Sequence, residues 1–344
     1  MTESQWDSLL KVVNGELSES KLIGFIIDSP WLPGWYGVST LDYYSNDDIW
    51  FEANKTAIEK FPDAMFLPGF WSEYGMCTEP SAFGAKSIWQ EVNLPHAEKV
   101  INDISQINEI VKPNPVSDGL LPFMINRLKI MQPRIESIGH SIRFAVARGP
   151  LNIASFLMGT TELMMGIAMQ PETIHKLLNV ITDFTTDWLD IQFRNFKTID
   201  GILILDDLVG FLGEPDFKTF ALPYLKKIYD QFDVSVKFFH NDAPGLVCAP
   251  FLGEIGINLF NFSHEHSLKQ IQQLTDGNVV LLGNIPPRDV MASGSLQEVE
   301  ESVKNAWNSV DDKSGIIWSC GGGMPMGVKT ENIERFIRTI QEGI

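Results

Sequence analysis

Cysteine is scarce in this chain: Cys77, Cys248 and Cys320 are all there is among 344 residues. So odd and sparse a set fits a reducing compartment better than a disulfide framework, and each is expected as a free thiol or a ligand. Positive charge is also short. Lys and Arg number 26 against 44 Asp and Glu, a formal charge of −18, which argues against nucleic acid or an anionic membrane as partner, since both require a basic face. Long apolar runs are missing, since no stretch reaches the ~18 residues of a membrane span. The opening residues MTESQWDSLL are polar and acidic where a secretory signal needs a basic segment and then an apolar one. A cytoplasmic protein is expected, without internal repeats or low-complexity tracts.

What is present is an ordinary hydrophobic share, 44%, in a length that single α/β barrels commonly reach. We read residues 1–344 as one domain. Short β-rich runs alternate with longer helical patterns, the signature of βα units around a parallel sheet. Eight such runs are found: KLIGFIID (Lys21 to Asp28), DAMFLPGF (Asp63 to Phe70), IRFAVARG (Ile142 to Gly149), GILILDDL (Gly201 to Leu208), VSVKFFHN, NLFNF (Asn258 to Phe262), VVLLGN (Val279 to Asn284) and GIIWSC. Eight strands close a barrel, so the expected fold is an α/β (β/α)8 TIM barrel. Helices are predicted from Pro171, with proline in the first turn, and after Ser295, where Ser295 and Glu298 form a capping box. The segment from Trp71 to Ser141 is too long for a simple crossover. It predicts an insertion between strands two and three that covers part of the barrel mouth.

Barrel chemistry sits where strands end, and polar residues recur there: Asp28, Asp206-Asp207, His240-Asn241-Asp242, Asn284 and Cys320. Side chains alternate faces along a strand, so His240 and Asp242 point the same way and can grip one ion. With Cys320 from another strand end they make a His, Asp, Cys set that leaves a tetrahedral zinc one open position. His264, Glu265 and His266 follow strand six, and His264 or Glu265 is a candidate to complete the metal sphere. Asp206 and Asp207 are candidates for acid–base work or for orienting the ligands, against the bland alternative of capping the next helix. The Gly321-Gly322-Gly323 turn could cradle an anionic group or simply permit close backbone approach. Cys77 and Cys248 are assigned to packing.

Several stretches resemble the uroporphyrinogen decarboxylase superfamily: FWSEYGMCTEPSAFGAKS, KPNPVSDGLLPFMINRLKIM, RGPLNIASFLMGTTELM, GILILDDLVGFLGEPDFKTFALPYLKKI, GNIPPRDVMASGSLQEVEESV and CGGGMPMGVKTENIERF. The resemblance implies a TIM barrel and one of two activities, a tetrapyrrole carboxy-lyase or a zinc methyltransferase that works with a corrinoid protein. It also adds Glu79, in the matched CTEPSAFG, as a catalytic candidate. The decarboxylase branch has an Arg-rich loop after strand one, which grips its substrate's carboxylates. Here that stretch, DSPWLPGWYGVSTLDYY from Asp28, holds no Arg or Lys, although a polycarboxylate needs cationic anchors.

The methyltransferase branch carries His-x-Cys after strand five and a second Cys before a Gly-rich turn. His240 and Cys320 match, while Asp242 stands in place of the first Cys. A carboxylate donates less charge than a thiolate and leaves zinc a harder Lewis acid, suited to an oxygen substrate. The expectation is therefore methyl transfer between a small methylated substrate and the corrinoid of a partner protein. The substrate could be an aryl methyl ether, met by a box of Trp31, Trp35, Tyr36, Phe70, Trp71 and Tyr74. The alternatives are methylcobamide:thiol transfer, metal-free decarboxylation of a tetrapyrrole, and a barrel that binds a corrinoid protein or small ligand without turnover.

Overall fold

The computed structural model describes residues 1–17, 19–27 and 29–342; the strand-end residue Asp28 lies outside them. Each apolar run contains a strand: β1 (Gly24–Ile26), β2 (Met65–Leu67), β3 (Phe144–Arg148), β4 (Gly201–Leu205), β5 (Val236–Asn241), β6 (Leu259–Phe262), β7 (Val280–Ile285) and β8 (Ile316–Cys320). β3 to β8 lie side by side in chain order in a six-stranded parallel sheet. β1 pairs with β2, and a parallel bridge from Ile23 to Trp318 joins β1 to β8. This cyclic order is that of a (β/α)8 barrel.

The seam falls between β2 and β3, where no strand pairing is found among the described residues. The β3 edge is satisfied by side chains instead. The Gln192 amide accepts from Val146 N–H and donates to Val146 C=O, both at 2.9 Å, and Glu79 accepts from Arg148 N–H at 2.9 Å. An open edge would otherwise leave buried backbone groups unpaired.

Period-two alternation divides the core into two clusters. Ile26, Met65, Leu67, Phe144, Val146, Leu203, Val236, Phe238, Leu259, Leu282 and Ile317 fill the barrel interior, plugged at its N-terminal end by Trp6, Leu9 and Val12 of the helix Glu3–Val13. Their sequence neighbours, among them Ala145, Ile204, Phe239, Phe260, Leu281, Ile316 and Trp318, pack outward against the helices. The helix Pro171–Asn195 begins with proline, and Ser295 and Glu298 form a capping box on Leu296–Asn308. The insertion between β2 and β3 carries the helices Thr78–Ala82 and Leu121–Ser137 and a short antiparallel pair, Ser87–Ile88 with His96–Ala97. No single helix among the described residues is long and apolar enough to cross a membrane.

His140, just before β3, is 6% exposed and meets the Phe70 ring edge-on at 6.1 Å. Burial, reinforced by the Met1 ammonium, lowers its pKa from 6.5 to about 4. The unfolded chain then takes a proton that the folded chain refuses, so this contribution is complete above pH 6.5 and is lost as pH falls toward 4. Urea unfolding across this range should show the parent losing stability relative to His140→Gln as pH falls. A pH-independent difference would contradict the burial of a neutral imidazole.

Candidate metal centre

The interior parity of the strands continues past their last apolar residues and selects what faces the mouth. On β3 it runs Phe144, Val146, Arg148. On β4 it runs Leu203, Leu205 and on to Asp207; on β5 Val236, Phe238, His240 and on to Asp242; on β6 Leu259, Asn261. Arg148, Asp207, His240 and Asp242 all line a cavity of ≈ 300 Å³, whose other walls include Ile26, Glu73, Met76, Leu94, Asn152, Phe156, Arg288, Gly323 and Met324. Glu73, Met76 and Leu94 come from the insertion, which thereby covers part of the mouth.

Asp207, His240 and Asp242 each offer a ligand atom within 4.8 Å of the other two. His240 Nε2 lies 3.6 Å from Asp207 Oδ1 and 3.9 Å from Asp242 Oδ2. The far side of the imidazole is fixed: Nδ1 is 2.8 Å from Asn261 Oδ1, while Asn261 Nδ2 donates to the carbonyls of Leu282 (2.7 Å) and Cys320 (3.2 Å). With both amide hydrogens directed at carbonyls, the Asn261 oxygen can only accept. The Nδ1–H must therefore donate, which leaves Nε2 aimed between two carboxylates, where the neutral ring offers its lone pair. Asp207 is held in turn by the Asp242 N–H at 3.2 Å and by Asn152 Nδ2 at 3.4 Å. Lost hydration in the cavity wall raises the Asp242 pKa against the attraction of His240, and Asp207 raises it further. Two carboxylates and the imidazole Nε2, brought this close together, suit a cation.

One imidazole and two carboxylates fit a divalent ion with a fourth position open to the cavity, the pattern of a catalytic rather than a closed structural site. Asn261 is the outer partner that such a histidine usually has. Asn261→Leu is expected to weaken metal binding about 10- to 100-fold, read by competition with a chromogenic chelator; unchanged affinity would show that the imidazole needs no anchor.

Cys320 is not part of this group. It follows Ile316 and Trp318 on the outward parity of β8, is fully buried among the residues packed against the helices, and donates its thiol to Gly322 C=O at 3.6 Å. Burial pushes its pKa up to about 12, so it stands as a thiol. His264 and Glu265 are exposed and also outside the group; His266 reaches Pro244 C=O at 2.5 Å and ties two loops together.

Asp206 and Asp207, adjacent in sequence, part by parity. Asp206 continues the outward series Ile202, Ile204 and accepts from the N–H groups of Leu151 (3.0 Å) and Asn152 (2.9 Å) at the start of the helix Pro150–Met158. It caps the helix after β3 rather than the one that follows its own strand. Gly149 makes room for it, since a Cβ there would lie 2.3 Å from Asp206 Oδ2. Glu79 is buried and spends both oxygens on Arg148, one on its N–H and one on Nη1 at 3.2 Å. The three glycines act through space. A Cβ on Gly321 would meet the His264 backbone at 2.5 Å, one on Gly322 (φ +120°) would meet Asp242 Oδ2 at 2.6 Å, and Gly323 borders the cavity.

The expected aromatic box is not at this cavity. Trp31 is buried with its N–H on Val328 C=O, Trp35 bonds Thr330, and Phe70 and Trp71 are core; neither Tyr36 nor Tyr74 lines the cavity. Cys77 and Cys248 are buried. Arg148, Asn152 and Asn261 went unselected in the sequence, although each breaks an apolar pattern: Arg148 ends FAVAR and Asn261 interrupts LFNF.

The family profile "Uroporphyrinogen decarboxylase (URO-D)" matches residues 35–343. Uroporphyrinogen decarboxylase of Chloroherpeton thalassium is 28% identical over 275 residues, 76% of each chain. That of Cellvibrio japonicus is 23% identical over 312 residues, 87% of this chain and 83% of the other. Among solved structures, a methyltransferase from Methanosarcina mazei superposes with a TM-score of 0.80 at 16% identity, covering 97% of both chains. A B12-independent methionine synthase from Shewanella sp. W3-18-1 gives 0.55 at 9% identity, covering 95% of this chain and 96% of the other. The family match spans nearly the whole barrel: this chain belongs to the uroporphyrinogen decarboxylase family.

Proposed function

We propose that the protein is a zinc-dependent methyltransferase that moves a methyl group between a small methylated substrate and the corrinoid of a partner protein. The observation that carries this reading is the convergence of Asp207, His240 and Asp242 at one end of the ≈ 300 Å³ cavity, with the His240 lone pair turned inward. A zinc ion held there would polarise the substrate's heteroatom and make it a better leaving group.

The protein's own groups supply the rest. Asn261 keeps the imidazole in one tautomer, and Asn152 with the Asp242 N–H fixes the Asp207 carboxylate. Ile26, Leu94, Phe156 and Met324 give a largely aliphatic wall, scaled to a small substrate. The corrinoid would be presented at the mouth by the partner protein. The methyltransferase from Methanosarcina mazei shares the whole fold, which supports the reading without assigning a substrate.

Decarboxylation of a tetrapyrrole is the second reading, favoured by the names of the sequence relatives. The charges at the cavity oppose it. Glu73, Asp207 and Asp242 outnumber Arg148 and Arg288, and Arg148 is already engaged by Glu79 at 3.2 Å, with Glu73 at 3.8 Å. A substrate bearing several carboxylates would meet net repulsion. The zinc-loaded protein, incubated with a reduced corrinoid protein and a panel of methyl ethers and methyl thioethers, is expected to methylate the corrinoid, seen by its absorbance change. Loss of carbon dioxide from uroporphyrinogen without added metal would establish the second reading.

A further inference from the structure

We infer that the metal cavity has a second end that holds one anionic group, with Arg288 as the residue that selects it, so that the substrate is a short methylated acid bearing a single carboxylate. The anionic end stands on the cavity's own groups; that its occupant is the methyl donor rests on the proposed function. Asp207, His240 and Asp242 stand at the ends of β4 and β5, whereas Arg288, Gly323 and Ser29 line the same cavity from the segments after β7, β8 and β1. Those three strands are consecutive around the barrel, so their loops form a different arc of the mouth from the metal-binding one.

Arg288 is a cation that the protein leaves uncommitted. The chain has eight arginines and a large excess of acidic residues, and the seven others each form an ion pair. The Arg288 side chain has neither ion pair nor hydrogen bond among the described residues, although two carboxylates share its cavity. Arg148, the other cation there, is spent on Glu79 at 3.2 Å and Glu73 at 3.8 Å. Ser29 is only 3% exposed, and its hydroxyl too has no partner among the described residues, although a buried hydroxyl requires one. Gly323 keeps the space between them open. Its φ is not left-handed, and a Cβ would come no nearer than 3.9 Å to Ile26, so neither backbone strain nor packing demands glycine at that place. A divalent ion on Asp207 and Asp242 would cancel those two charges. One carboxylate then meets an unpaired guanidinium, while further carboxylates would meet Glu73.

Calorimetric titration of the zinc-equilibrated protein with methoxyacetate, β-methoxypropionate and p-anisate, each against its neutral primary amide, tests this without corrinoid or turnover. At least one acid should bind saturably and about tenfold more tightly than its amide. Arg288→Gln should abolish that preference, Arg288→Lys should keep part of it, and Ser29→Ala should weaken the acid by less than Arg288→Gln does. Arg288 is exposed and unpaired, so these variants should fold as the parent does. The inference is overturned by equal affinity for acid and amide, by no saturable binding of any acid, or by a preference that survives Arg288→Gln, which would put the carboxylate on the metal. Arg288-dependent binding without methyl delivery to a corrinoid protein would uphold the anionic end and count against the proposed function alone.

Discussion

The parent is expected to purify with about one divalent ion per chain, and the Asp207→Ala protein to purify without it and to show no methyl transfer above background, while remaining folded. Asp207 supplies one of three donors and, through its bond from the Asp242 N–H, fixes the loop that brings a second. Without it the remaining imidazole and carboxylate make a two-donor site. The side chain is 36% exposed, so no core contact is lost, and removing one of two neighbouring carboxylates relieves repulsion in the metal-free state. Unfolding of the metal-free proteins should place the variant at or above the parent in stability. Cys320→Ser is the counterpart: it alters the outer face of β8 and should keep the metal. Full metal content in Asp207→Ala would dismantle the three-donor site.

The largest loss of stability is expected at Glu79. Its carboxylate and the Arg148 guanidinium are both buried, with side-chain exposures of 3% and 11%. Glu79 also accepts the Arg148 N–H on the open edge of β3, so one side chain closes a strand edge and balances a charge. Glu79→Ala leaves Arg148 with Glu73 at 3.8 Å as its remaining ionic partner, and breaking one side of a buried pair costs about 3–5 kcal/mol. Glu79→Gln keeps an acceptor for the N–H and should cost less. Glu79→Ala combined with Arg148→Met should recover much of the single-variant loss, because the stranded charge is then gone. Urea denaturation of the parent, Glu79→Ala, Arg148→Met and the double variant gives the coupling. Additive losses would show that the two groups act independently.

The barrel was legible because each strand announces itself locally, and all eight apolar runs hold a strand. The site was legible in part. Period-two alternation placed His240 and Asp242 together, and followed along β4 and β8 it also separates Asp207 from Asp206 and turns Cys320 away from the mouth. In GILILDD the inward series ends on the second aspartate, and in GIIWSC the inward positions are Ile317 and Ser319. Its place at a strand end, and then the ligand pattern of the resemblance, put Cys320 at the metal; the strand's parity puts it in the core. Which groups bond to which was not available in one dimension. Asn261 acts on His240 across a register of neighbouring strands, and Glu79 reaches Arg148 from 69 residues away. The aromatic residues of the first loop satisfied a compositional expectation, but the fold uses Trp31 and Trp35 to bind the C-terminal segment through Val328 and Thr330.

The decisive measurement is X-ray absorption at the zinc edge of the zinc-loaded parent. Coordination by Asp207, His240 and Asp242 predicts nitrogen and oxygen scatterers alone, at roughly 2.0–2.2 Å. A sulfur shell near ~2.3 Å would bring Cys320 to the metal and contradict the outward placement of that thiol on which this account of the site depends.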